Sequence, residues 1–435
     1  MLNIAVIGGS SPTTPIFIED LARAISKDRE ETITLRLHGR NEQRLERIVE
    51  YSKIKLSEMG SDELPRFDVF GSIELADVLS GASIIVFQVR PGGMRFRGIA
   101  ESIAMAEGIP GDEGLGPGGL ACYLRGRREL DELFAVIARY SPNALVLMMT
   151  SPLGLAVERA QSQAGLSCVG VCELAHVTVD RLILKARTQL QLDIESVSVF
   201  GLNHASWIYD FTDHSGKNVT EAVLDSGIAS EIVGVDADVM RRDRAVPVHY
   251  LRQIYHTNRV LTEQRRRARP RGVELANWRA RFHALVTRPG KLPCARLEAL
   301  LSERNVDWYR EGLVPSILAF TSDSSAKRIL NVYSSIETSR SGAQAVLEVP
   351  CRVGSMKATP LSVRPLPSHP HQIFSELLEY ELACQQLTDT WEVSDLVDVL
   401  MCHPLISCID SARRLATNIS QAVTVDLENS DVSIT

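Results

Sequence analysis

An α/β fold, with a doubly wound parallel sheet in the N-terminal part and an α-rich (α+β) second part, is predicted by three features of the sequence. The chain opens on an apolar, β-branched run, Asn3 to Gly8, which breaks into Gly8-Gly9-Ser10-Ser11-Pro12; helical apolar spacing follows from Ile16 to Ile25. Strand-like and helix-like stretches then alternate as far as position 200, the pattern of parallel strands joined by crossover helices. Beyond that point helical periodicity dominates. These boundaries place one domain at 1–200, a second at 201–416, and a polar, weakly patterned tail at 417–435 that is expected to fray.

The opening strand, loop and helix form a unit with a physical use. Small residues in such a loop let backbone N–H groups and a helix N-terminus approach a pyrophosphate, so Gly8, Gly9, Ser10 and Ser11 are candidate cofactor contacts. The match to G-x-G-x-x-G is loose, since the third glycine is missing, and a tight strand-helix turn is the plainer alternative. A second strand is expected over Thr32 to His38, a helix from Asn41 to about Met59, a short apolar piece at Ala76 to Leu79, and a third strand over Ser83 to Val89. Together they make a Rossmann half. At the end of its second strand stands His38-Gly39-Arg40, where an acidic residue would hold the ribose of NAD and an arginine would accept the 2′-phosphate of NADP. Both cofactors stay open at this stage.

Residues 90–127 carry ten glycines and several charges after a strand end, which reads as a substrate-binding loop or a flexible lid. A fourth strand, Ala144 to Met149, runs through Thr150-Ser151-Pro152 into a helix from Leu153 to about Gln163. The fifth strand, Ser167 to Val171, delivers Cys172; after a helix-like segment, the strand Val197 to Gly201 leads to His204. A thiol and an imidazole at strand C-terminal ends face a cleft and can share one divalent ion, although a buried thiol and an Asn-His turn explain the same residues without one. Helical segments follow near Val219 to Ser226, Val248 to Arg267, Val273 to Leu285 and Leu297 to Leu301. Strand-like runs are expected at Arg328 to Val332 and Ala345 to Val349, and terminal helices at Gln372 to Gln386, Val393 to Cys402 and Ile409 to Ala416.

Composition bounds the function. A formal net charge of −7 over 435 residues argues against a general nucleic-acid binder, despite a local run of Arg265, Arg266, Arg267, Arg269 and Arg271. No apolar run reaches the ~18 residues of a membrane span, and the first strand begins at once without a basic leader, so a cytoplasmic protein without membrane partners is expected. The eight cysteines form no CxxC pair, which disfavours structural zinc and a disulfide framework.

With these pieces in place the chain resembles glycoside hydrolase family 4, the NAD- and metal-dependent glycosidases. The carriers are IGGSSPTTP, RPGGMRFR followed by GDEGLGPGG, VGVCE, GLNHASW, PVHYLR, LEVPC and MCHPLI, in the family's order along most of the chain. The resemblance implies a lactate/malate-dehydrogenase-like architecture, NAD or NADP as cofactor, a divalent metal such as Mn²⁺, a small sugar or glycoside as substrate, and a homo-oligomer (dimer or tetramer). It implies Cys172 and His204 as metal ligands, Tyr250 as catalytic tyrosine, Glu173 as a second catalytic group, and Arg97, Ser151, Asn203 and Arg271 around the substrate. Arg40 and Arg90 join the loop residues as cofactor contacts. The implied chemistry is transient oxidation at sugar C3, deprotonation at C2 and elimination of the C1 substituent; an NAD(P)-dependent sugar oxidoreductase or epimerase would use the same ketone without cleavage. The chain departs from the family pattern at Ser151, where the family has Asn, at Glu173, and at Ala100-Glu101 and Asp112-Glu113-Gly114. Those departures cluster on the substrate side, so a substrate other than a standard sugar 6-phosphate is expected.

Overall fold

In a computed structural model, which describes residues 2–25, 32–60, 66–335 and 344–431, the N-terminal strands are β1 (Leu2–Ile7), β2 (Ile33–His38), β3 (Phe67–Ser72), β4 (Ile84–Phe87), β5 (Leu145–Met148) and β6 (Cys168–Gly170). They pair in parallel in the order β3-β2-β1-β4-β5-β6. Strand order reverses between β1 and β4, which opens a crevice above their C-terminal ends. The middle strands are buried on both faces, as near-continuous apolar sequences such as IIVF and LVLM require of a sheet covered by helices on each side.

The same sheet then continues into the second half of the chain. Its strands are β7 (Ile194–Leu202), β8 (Ala205–Asp213), β9 (Val246–Pro247), β10 (Ala326–Ser335), β11 (Gln344–Gly354) and β12 (Lys357–Pro360). β10 lies antiparallel against β6, and the order runs on through β11, β7, β8 and β9, with β12 on β11. The boundary expected at 200–201 therefore falls inside β7, because β7 is held by β8 on one side and β11 on the other.

Three other expectations change. The stretch 90–127 is not a long loop: helices Gly93–Ala106 and Pro117–Tyr140 occupy most of it, leaving residues 107–116 as the connection. Several of its glycines are packing positions, while Gly92, Gly93 and Gly108 take positive φ at turns. A Cβ on Gly126 would lie 2.5 Å from Pro91 Cβ, and one on Gly118 would lie 2.3 Å from the Asp112 carbonyl oxygen. Four strands were not anticipated, β3, β8 and the short β9 and β12; β8 is buried without a break over its first five positions, so it carries no alternation to mark it. The tail expected to fray is a helix, Ile409–Asp431, with Leu415, Ala416, Ile419 and Val423 packed against Phe96, Leu120 and Leu396, and with Arg125 paired to Asp426. Residues 432–435 lie outside the described residues. Among the described residues no helix is long and apolar enough to cross a membrane.

Because Ile419 is fully buried, Ile419→Ala is expected to lower unfolding free energy by about 2–4 kcal/mol, read from denaturant midpoints. A frayed tail would show no change.

Candidate active site

The crevice above the parallel strands is a cleft of ≈ 1110 Å³. It is lined by Gly8, Ser10 and Ser11 at one end and by Cys172, His204 and Tyr250 at the other. Arg40, Arg90, Arg97, Ser151, Glu173, Asn203 and Arg271 also line it. Of the residues singled out in the sequence, Gly9 alone is not brought there: its position faces β2, and a Cβ on it would lie 2.7 Å from Leu37 Cβ. Gly9 is required by the close packing of two strands, and Gly8, at φ +91°, supplies the turn.

The loop after β1 is braced from the other half of the chain. Tyr309 Oη donates to Gln88 Oε1 at 2.6 Å and lies 2.9 Å from Thr13 Oγ1, while Ser11 Oγ lies 3.0 Å from Thr13 Oγ1. The helix Thr14–Ala24 begins at this point, and although its first N–H groups donate to the Ser11 and Thr13 carbonyls, the positive end of its dipole lies at the crevice, where an anion is favoured.

At the inner end, Cys172 follows β6 and His204 sits at φ +64° in the two-residue turn joining β7 to β8. The His204 imidazole stacks on the Tyr250 ring, with centroids 4.1 Å apart and planes 1° from parallel. Its Nδ1 is buried without a hydrogen-bond partner. Gly114 flanks that nitrogen, where a Cβ would lie 3.1 Å away. Behind both residues stands Glu348 of β11, buried and accepting from Ser206 Oγ at 2.5 Å, Asn331 Nδ2 at 3.2 Å and Asn203 Nδ2 at 3.3 Å. Burial, then the charges of Glu173 and Glu348, push the Cys172 thiol well above its ordinary pKa. Burial and the charges of Asp112 and Glu113 do the same to the Tyr250 phenol, with Arg97 opposing. Both groups stay protonated in this field, and a divalent cation beside them reverses it. Among the described residues no cluster of three or more His, Cys, Asp or Glu forms a closed metal cage. What remains is a thiol, an imidazole with an orphaned nitrogen and an acidic surround, a donor set that fits an open, two-ligand site for a borderline divalent ion.

Between the two ends runs a chain of ion pairs. Arg90 pairs with Glu113; Arg97 pairs with Glu113 at 2.8 Å and with Glu101 at 2.7 Å. Glu101 also accepts from the backbone N–H of Gly272 at 2.8 Å, capping the helix Arg271–Val286. That helix lies backbone to backbone on Gly93–Ala106: a Cβ on Gly272 would meet Gly98 N at 2.4 Å. The contact fixes Arg271 at the cleft, although its guanidinium is half exposed and pairs with Glu274. Ser151 lines the cleft after β5, next to the cis Ser151–Pro152 bond. Further arginines that were not anticipated from sequence also line it, Arg279 and Arg304 among them. Arg304 lies between the Trp278 and Trp308 rings, 5.4 and 4.7 Å from their centroids, and Arg279 has no ion-pair partner among the described residues. Neither belongs to a motif; only three-dimensional packing reveals them.

A sheet of this order, with a phosphate-ready loop at one end of its crevice and a metal-type donor pair at the other, defines a dinucleotide-dependent enzyme class. Residues 3–187 match the Family 4 glycosyl hydrolase family and residues 199–406 match the Family 4 glycosyl hydrolase C-terminal domain. The chain belongs to that family. It is 25% identical over 226 residues to 6-phospho-alpha-glucosidase 1 of Lacticaseibacillus paracasei, a match spanning 51% of this chain and 49% of that one. To the 6-phospho-alpha-glucosidase of Leptotrichia buccalis it is 22% identical over 89% of each chain. The 6-phospho-beta glucosidase of Thermotoga maritima, solved with manganese, NAD+ and glucose-6-phosphate, superposes with a TM-score of 0.80 at 22% identity, covering 97% of this chain and 98% of that one.

Glu113 sits where the two arginines meet. Burial pushes its carboxyl up, but Arg90 and Arg97 outweigh that and hold it below the ordinary glutamate range. Its contribution to stability is complete above the unfolded pKa of about 4.3 and is lost as pH falls through the lower folded value. Glu113→Gln leaves two partly buried arginines short of a carboxylate and is expected to cost about 3 kcal/mol at neutral pH. The difference from the parent chain should shrink as the pH is taken below about 4.3, in denaturant unfolding followed at several pH values.

Proposed function

We propose that this chain is a glycosidase that cleaves by oxidation at sugar C3 and elimination across C1–C2. The observation that carries the reading is the meeting of Cys172, His204 and Tyr250 at one end of a cleft whose other end is the loop Gly8 to Ser11. When bound, NAD accepts and returns a hydride, and Mn²⁺ or a similar ion acts as a Lewis acid on the sugar oxygens. Both ligands accompany the Thermotoga maritima neighbour.

The chain's own residues have separable tasks. Cys172 and His204 would hold the ion, and Asn203 and Glu348 would orient that pair from behind. Tyr250, fixed by its stacking on His204, is positioned to take the C2 proton once the local field is made positive. Glu173, whose carboxylate oxygen stands 4.0 Å from the Cys172 sulfur, would protonate the leaving group. The Gly8 to Ser11 loop and the helix behind it would hold the pyrophosphate.

Two features argue against dependence on a 6-phosphate, although the curated relatives above are named for that group. The charge of Arg97 is already matched by Glu101 and Glu113, and the expected amide at 151 is a serine hydroxyl. A phosphate dianion needs free charge-assisted donors in fixed geometry. We therefore propose that cleavage does not depend on a 6-phosphate. A cytoplasmic setting and a homo-oligomeric assembly belong to the same reading; light scattering on the purified chain reads the second.

Two measurements test this. Cys172→Ser should keep its circular dichroism spectrum and lose Mn²⁺-dependent aglycone release by at least about a hundredfold, with Tyr250→Phe losing about 10²–10⁴-fold. Undiminished turnover after chelation would rule out the metal-assisted route, and net NADH without aglycone would identify an oxidoreductase. In the second, p-nitrophenyl glycosides of both anomers are compared with and without a 6-phosphate. Comparable rates are expected; a strong preference for the phosphorylated forms would refute the substrate proposal.

A further inference from the structure

Arg40 and Arg44 follow the end of β2 and a third guanidinium, Arg279 of the helix Arg271–Val286, lies close to both, while Glu42, the carboxylate between the first two in sequence, is exposed. β1 and β2 run in parallel register with Ile7 opposite His38, and Gly9 N–H donates to the His38 carbonyl at 2.7 Å. The residues after β2 therefore lie directly beside the loop after β1. Their approach is so close that a Cβ on Gly39 would stand 2.7 Å from Ser10 Cβ. A dinucleotide whose pyrophosphate rests on that loop directs its adenosine ribose to this spot. His38 turns away, its Nε2 lying 3.1 Å from the Ile73 carbonyl, and Asn41 is occupied in accepting from Arg44 N–H at 2.9 Å. The side chains left to meet a ribose are arginines.

We infer that the cofactor site selects the 2′-phosphorylated dinucleotide, NADP(H), over NAD(H), with Arg40, Arg44 and Arg279 forming the phosphate cradle. The inference rests on the dinucleotide reading above and specifies it. Arg279, reaching in from the helix Arg271–Val286, has no ion-pair partner among the described residues. Burial and the charges of Arg90, Arg44 and Arg40 lower its pKa to about 10. Arg44 is lowered in the same way by burial and Arg40, and its Nε is buried without a partner. Like charges are thus held together in a partly desolvated place, an arrangement that a dianion relieves and a ribose hydroxyl does not. The one acidic contact, Glu129 to Arg40 at 3.1 Å, belongs to an arginine that is 84% exposed. A pair so exposed is weak and gives way readily to a phosphate with two charges. The guanidinium forks also suit the planar, bidentate recognition of phosphate oxygens.

The experiment is equilibrium binding to the purified chain, by tryptophan quenching or calorimetry, with NAD+ and NADP+ titrated separately at two ionic strengths. NADP+ should bind at least about tenfold more tightly, with an affinity that falls more steeply with salt, as expected for partly exposed charges. Arg40→Asp, at an exposed position that tolerates change, should reverse the order of the two cofactors, and Arg279→Gln should weaken NADP+ more than NAD+. Adenosine 2′-phosphate should compete with NADP+ better than adenosine 5′-phosphate does. Equal affinities, or tighter NAD+, would overturn the preference and leave the dinucleotide reading intact. Binding of neither cofactor would overturn both.

Discussion

The run of charges Arg90–Glu113–Arg97–Glu101, ending on the backbone N–H of Gly272, is the constraint on which the cleft depends. It crosses from the connection after β4 to the helix that carries Arg271 and Arg279, and so fixes the N-terminal half against the second half. Burying four ionised groups is costly unless each is matched, and here each carboxylate meets at least one guanidinium. Burial alone would lower the affinity of Arg97 for its proton, yet the Glu113 and Glu101 charges raise it above the ordinary value. The helices they join touch through Gly98 and Gly272, where no side chain could intervene. An apolar contact of the same size would hold the helices together but would not set the field at Tyr250. The charges do both.

That field divides the cleft by sign. Around Cys172, His204 and Tyr250 the unmatched charges are carboxylates, so protons are held on the thiol and the phenol and a cation is welcome. Toward Arg44, Arg279 and Arg304 they are guanidiniums. Arg304, like Arg279, is drawn down to about 10, first by burial and then chiefly by the neighbouring Arg271. A ligand with phosphates at one end and electron-rich oxygens on a metal at the other fits this gradient in only one direction. Orientation is thereby set before any specific hydrogen bond forms, which is how electrostatic complementarity acts at longer range.

Much of this arrangement was legible in the sequence, and the unread parts have a common cause. β1, β2, β4 and β5 announced themselves as apolar runs ending in small or polar residues, and the positions that follow them, Gly8, Arg40, Arg90 and Ser151, all reach the cleft. Glycine was the misleading signal. At Gly118 and Gly126 it marks close packing rather than a long loop, and at Gly9 it marks strand packing rather than cofactor contact. A composition count cannot separate those uses, because the absence of a Cβ serves a turn and a close approach equally. Helix Ile409–Asp431 was missed past position 416 for another reason: its buried face is sparse, with Ile419 and Val423 one turn apart among polar residues.

The residues invisible to sequence are those that act through partners distant along the chain. Glu348 is an unremarkable strand residue until β11 sets it beside β7, where it collects Ser206, Asn203 and Asn331. Nothing in LEVPC alone distinguishes a carboxylate that supports a metal-type pair from one that faces water. The same holds for Arg279 and Arg304, since each is an ordinary cation on a helical stretch until the second half folds over the crevice. Local motifs in this chain therefore encode what touches the cofactor loop and the metal-type pair. Its tertiary packing encodes the charges that bias both.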